Sequence, residues 1–236
     1  MIVALVNEAT DLAHNDALKI LGALQIQLNR DFCPRWNLEL VEVDLYKAGQ
    51  RIPPGSWPLY LTDVITEAGD LGYHAAEFSA PYGEIELKVI FENNGGVLTG
   101  PNCVAQAVSH EALEMLANPR LREFVAYSGG SSIPKEVCDP VQGAGYDIEG
   151  LTMSNFVLPA WFDARGKGPF DFKGELTKPF EIGPSGYLMV IAPDGSSSPI
   201  FGSKAPPKWW LNRRGRKTRL AEIDPDATPR ERSIIQ

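Results

Sequence analysis

The sequence predicts an α+β fold: a mixed sheet with a long N-terminal helix, a second helix set behind an edge strand, and a β-rich C-terminal part. Three observations carry this reading. Residues 2–6, Ile-Val-Ala-Leu-Val, form a continuous apolar run of strand length. From Leu12 to about Phe32, apolar residues recur at helical spacing: Ala17, Leu21, Leu24, Leu28, Phe32. Residues 84–92 alternate, with Ile85, Leu87, Val89 and Phe91 on one face and Glu84, Glu86, Lys88 and Glu92 on the other, Ile90 being the exception.

Taken in order, the first strand is followed by Thr10 or Asp11, either of which can cap the long helix, and Pro34 is expected to end it. Leu38 to Leu45 alternates apolar and acidic residues and reads as a second strand. Pro53-Pro54-Gly55 marks a turn before a third strand, Trp57 to Val64. The alternation at 84–92 predicts a half-buried strand at a protected sheet edge, closed by the turn residues Asn93-Asn-Gly-Gly. Asn102 is positioned to cap a helix that runs to about Ala117 and stops at Asn118-Pro119. After a Gly/Ser loop at 128–132, short strand-like pieces at Met153–Phe162 and Tyr187–Ala192 lie among many Gly and Pro residues.

Composition narrows the classes. With 236 residues and 44% apolar content the chain can build a real core. The formal net charge is −8, unevenly spread. Residues 204–236 hold nine Lys/Arg against four Asp/Glu, leaving thirteen against twenty-six in the body. An acidic body suits cation binding and disfavours nucleic acid as a ligand of the main domain. Three cysteines, Cys33, Cys103 and Cys138, imply no disulfide framework and read as small buried apolar residues. The first residues lack a basic leader region and a run long enough for a signal peptide or membrane span. The expectation is synthesis in the cytoplasm without membrane association, with room for incorporation in a larger particle.

The chemistry concentrates in Ser109-His110-Glu111-Ala112-Leu113-Glu114. Residues four apart share a helix face, so His110 and Glu114 can hold one metal ion from the same side. Glu111 stands about 60° around the helix from Glu114, where a general base can take a proton from water. This is the logic of the His-Glu-x-x-His zinc helix with a carboxylate replacing the second imidazole. A carboxylate is an acceptable zinc ligand and also opens the site to manganese or calcium. The bland alternative is a solvated helix face with two ordinary carboxylates.

The motif His-Glu-Ala-Leu-Glu-Met-Leu-Ala-Asn-Pro, followed by Glu136-Val-Cys-Asp139-Pro, resembles a zincin-like bacterial and phage group with H-E-x-x-E, a nearby Asn/Asp-Pro and then E-x-x-D. The element order also resembles the zincin metallopeptidase fold, over about residues 1–140. The resemblance implies His110 and Glu114 as metal ligands, Glu111 as general base and zinc as the metal. It also implies a peptide or protein substrate aligned along strand 84–92. The third ligand of the metzincin pattern falls on Arg120, which cannot bind a metal, so Glu136 and Asp139 become the candidates, with Asp147 and Glu149 behind them. The chain then divides into a zincin-like metal-binding domain at 1–149, a β-rich lobe at 150–203 and a basic tail at 204–236.

Other features read as structural. His14 fits the capping region of the first helix, and His74 a loop before the edge strand, where it is either a surface residue or able to approach the site. Tyr127 and Tyr146 are candidates to aid an oxyanion, with packing as the plainer role. Trp209-Trp210 and Arg213-Arg214-Gly215-Arg216-Lys217 suit nucleic acid or an acidic partner, a neighbouring subunit or the chain's own acidic body. Two functions follow: a zinc-dependent, peptidase-like hydrolase, or a catalytically inactive scaffold of the same plan serving as a binding or assembly component, for example of a phage particle.

Overall fold

The computed structural model describes residues 1–64, 71–77 and 80–206. The tail beyond Pro206, with its tryptophan pair and basic run, lies outside the described residues, as do residues 65–70 and 78–79. The α+β class holds. The first half is a five-stranded sheet in the order β2-β1-β3-β5-β4. Its strands are β1 (Ile2–Asn7), β2 (Glu42–Lys47), β3 (Trp57–Thr62), β4 (Gly72–Glu77) and β5 (Ala80–Glu86). The first three and β5 run parallel; β4 pairs antiparallel with β5 in the register Gly72↔Ile85 to Glu77↔Ala80.

The apolar run at 2–6 becomes a central strand because a strand buried on both faces has no use for alternation. Val3 and Leu5 enter the main core, while Ala4 and Val6 pack with Tyr46 on the opposite face. The helical spacing at 12–32 yields α1 (His14–Ile26), which buries Ala17, Ile20, Ala23 and Leu24. It continues as a π-helical segment, Gln27–Phe32, and then α2 (Cys33–Trp36). Pro34 does not end it: a proline in the first turn of α2 needs no N–H partner, and the chain turns only at Asn37, with φ +52°. Neither Thr10 nor Asp11 caps α1. The residue before the helix is Ala13, and Thr10 instead binds Asp63 through its N–H and hydroxyl. The three cysteines are free and buried.

The alternation at 84–92 misleads. Ala80–Glu86 lies inside the sheet, paired with β3 on one side and β4 on the other. The residues beyond it form α3 (Leu87–Glu92). A substrate cannot add to a strand already paired on both sides, so the expected alignment along 84–92 is withdrawn. Glu84 and Glu86 are buried, where alternation had placed them outward. In the sheet's order the terminal strand on this side is β4, so His74 lies in a strand and not in the expected loop.

The second long helix is α4 (Val104–Ala117), ending at Asn118 as expected. Cys103, not Asn102, occupies the N-cap, and its Sγ accepts the Gln106 N–H at 3.4 Å. All fourteen residues of α4 are buried. A helix enclosed on every side must find partners for each polar residue it carries. Ser109 does so through a network that reaches α1. Its hydroxyl lies 2.5 Å from Gln27 Oε1 and accepts the Ser154 N–H at 3.0 Å. Gln27 Nε2 donates to the Ser154 carbonyl and the Tyr146 hydroxyl, which itself donates to Asp31. Ser109→Ala is expected to leave the Gln27 oxygen and the Ser154 N–H without their partner, lowering stability by about 1–3 kcal/mol in chemical denaturation.

The second half completes the shell around α4. A four-stranded sheet, in the order β11-β10-β7-β6, joins β6 (Phe124–Ala126), β7 (Ser132–Pro134), β10 (Tyr187–Ile191) and β11 (Ser197–Phe201). Between β7 and β10 lies the hairpin of β8 (Gly145–Ile148) and β9 (Leu151–Ser154). The boundary expected after Glu149 falls in its turn, and β9 packs on α4. Side chains of residues 151–188, including Met153, Phe156 and Trp161, belong to the same core cluster as Leu5, Leu24 and Val108. No helix among the described residues is long and apolar enough to cross a membrane.

Candidate metal centre

Three segments converge on one side of α4. The helix supplies His110, Glu111 and Glu114; a 3₁₀ turn at Asp139–Val141 and the residues before it supply Glu136 and Asp139; β4 supplies His74. One helical turn brings His110 Nε2 to 3.3 Å from Glu114 Oε1, and Asp139 Oδ1 lies 3.3 Å from the same nitrogen. These three groups can offer one ion a ligand atom each, all within 4.8 Å of one another. Atoms about 2.0–2.2 Å from a tetrahedral zinc stand about 3.3–3.6 Å apart, so the spacing on His110 fits such an ion without rearrangement.

Glu114 also builds the turn that carries Asp139. Its Oε1 accepts the backbone N–H of Cys138 at 3.0 Å and of Asp139 at 3.2 Å. The turn is braced from outside by the C-terminal residues. Val157 donates to the Val137 carbonyl and Gly183 to that of Pro140. Gly186 approaches the Pro140 carbonyl so closely that a Cβ there would collide with it. The E-x-x-D segment is therefore a fixed part of the centre, and the later chain holds it in place.

His74 lies in a strand rather than a surface loop. It is fully buried on β4. Its Nδ1 lies 3.4 Å from Glu111 Oε2 and 3.9 Å from Glu114 Oε2, and its Nε2 lies 3.8 Å from Glu136 Oε2. The signal in the sequence was scarcity: of three histidines, two meet here, while His14 is exposed at the start of α1. Glu111 is positioned from β4 as well, since its Cγ lies 3.1 Å from where a Cβ on Gly72 would stand.

Four carboxylates and two imidazoles thus share a pocket largely closed to water. Burial works against charge on His110, but Glu114, Asp139 and Glu111 overcome it and hold the imidazole well above the ordinary histidine range. Burial raises Glu114 above the usual carboxylate range, against the pull of His110. Burial, and then the neighbouring Glu114 charge, push Glu136 well above that range. None of Glu114, Glu136 and Asp139 forms an ion pair with Lys or Arg among the described residues. Packed acids of this kind hold a cation or stay protonated. The solvated helix face is excluded, because these side chains are not solvated.

The remaining candidates lie elsewhere. Asp147 closes the β8–β9 turn by accepting the Gly150 N–H, with Glu149 in the same turn at φ +54°. Tyr127 packs against Phe180, and Tyr146 serves the Gln27–Asp31 network. Arg120 follows the end of α4. No protein-family model, curated protein or solved structure matches the chain.

Proposed function

We propose that the protein is a metal-dependent hydrolase of zincin-like plan, acting on a peptide or protein substrate, with zinc as the metal. The observation that carries the reading is the spacing of His110, Glu114 and Asp139 around one point, with Glu111 next to it on the same buried helix. Zinc held by these three ligands would supply Lewis acidity, polarising a substrate carbonyl and lowering the pKa of water. Glu111 is the group placed to accept the proton of the attacking water and return it to the leaving nitrogen. Glu114 has two tasks, as a ligand through its charge and as the acceptor that locks the Asp139 turn. His74, 3.4 Å from Glu111, orients that carboxylate from β4.

A second reading draws on the number of carboxylates. Glu114, Glu136 and Asp139 together weaken a zinc ion as a Lewis acid and suit calcium or manganese, so a metal-stapled, inactive scaffold follows from the same pocket. The test is metal content and hydrolysis measured on one preparation. Full-length protein should carry stoichiometric zinc and cleave an unstructured protein substrate in a chelator-sensitive manner. Calcium retained with no cleavage points to the scaffold, and an absence of any bound ion after zinc is supplied in excess overturns both.

A further inference from the structure

The pocket contains a second ligand set. His74, Glu114 and Glu136 also offer one ligand atom each within 4.8 Å of one another, and this set shares Glu114 with the first. The two oxygens of Glu114 divide between the sets. Oε1 faces His110, at 3.3 Å, and the backbone N–H groups of Cys138 and Asp139. Oε2 faces the ring of His74, 3.9 Å from its Nδ1. We infer that the centre is dinuclear, with Glu114 bridging one ion held by His110 and Asp139 and a second held by His74 and Glu136. This rests on the metal reading of the first site and extends it.

One feature points to a cation on the Glu136 side. Glu136 Oε2 is a buried oxygen with no hydrogen-bond donor in reach among the described residues. The chemistry of the set agrees: one imidazole and two carboxylates are ordinary ligands for a divalent ion. An imidazole offers one ion one nitrogen. Binding through Nε2, on the Glu136 side, leaves Nδ1 beside Glu111, where a ring N–H holds that carboxylate in position. The two sites are unequal. The 3.8 Å between His74 Nε2 and Glu136 is wider than the 3.3 Å separations around His110, so zinc binds second and more weakly there.

The experiment is a zinc titration of the full chain, freed of metal beforehand and followed by native mass spectrometry. The expected result is two equivalents, the second at least about tenfold weaker, and one equivalent for His74→Ala. One equivalent in the unaltered protein overturns the dinuclear centre while leaving the His110 site standing, whereas none overturns the metal reading itself. Two equivalents retained in His74→Ala also overturn the inference. Manganese gives a readout that needs no variant. Two ions bridged by one carboxylate sit about 3.5–4 Å apart and couple magnetically, so loading the second should quench the isolated-ion resonance spectrum of the first. Two uncoupled spectra overturn the bridge.

Discussion

Glu114→Gln is expected to lower zinc affinity by more than about a hundredfold while leaving the fold intact, and Glu114→Ala to damage both. The difference follows from the two tasks of one carboxylate. Its Oε1 accepts the Cys138 and Asp139 N–H groups, and an amide oxygen can accept them too. The glutamine variant therefore keeps the turn in place and loses only the negative charge. Removing a group that merely supports a ligand costs about tenfold to a hundredfold in metal affinity, and removing the ligand itself costs more. Alanine takes away the acceptor as well. Each buried N–H left without a partner costs about 1–3 kcal/mol, so the alanine variant should unfold at a clearly lower denaturant concentration even without metal. Isothermal titration with zinc and denaturant melts of the metal-free variants separate the effects. Equal zinc affinity in the glutamine variant and the unaltered protein would remove Glu114 from the ligand set.

What could be read from the chain, and what could not, follows from the range of the interactions. α4 was legible to its last residue because Asn118-Pro119 is a local stop, and β1 because a buried central strand needs only an apolar run. His110 and Glu114 were legible because a helix fixes their spacing by itself. The error at 84–92 has a physical origin: alternation reports two faces only when one of them meets water. Glu84 and Glu86 do lie on the face of β5 opposite Ile85, as the pattern implies, but both are buried there, so the pattern marks no solvent-facing edge. His74 stayed hidden for the opposite reason. Its partners lie 37 to 62 positions away in sequence, on α4 and in the Glu136 segment, and nothing near it in the chain encodes that meeting. Pro34 misled because a proline that breaks a helix interior is harmless in a first turn, and the π-helical segment before it creates a new first turn.

That all the polar residues of α4 are buried gives the helix a different meaning from the one its sequence suggests. An exposed His-Glu-x-x-Glu would be worth little, since solvated charges are screened and mobile. Here the turn at Asp139 is clamped by Glu114 from within and by residues 157, 183 and 186 from outside, and β4 closes the pocket over Glu111. A rigid ligand set loses less entropy when an ion enters, which favours affinity and a defined coordination geometry. The region from 151 to 188 thus braces the candidate centre without supplying any member of the two candidate ligand groups.

Glu111→Gln is expected to lower kcat/KM for a peptide substrate by about 10²- to 10⁴-fold with zinc content unchanged. Glutamine matches the shape of the side chain, so its packing beneath Gly72 and its place beside His74 persist. What it cannot do is accept a proton. Because Glu111 stands outside both three-residue ligand sets, its loss should leave the zinc-induced rise in melting temperature as it was. The two measurements together discriminate among the roles open to a buried glutamate at this position. A fall in rate with retained zinc identifies a proton acceptor. A parallel loss of zinc and rate makes Glu111 a ligand and leaves the centre without its base. An unchanged rate rejects proton transfer at this carboxylate, and the hydrolase reading with it.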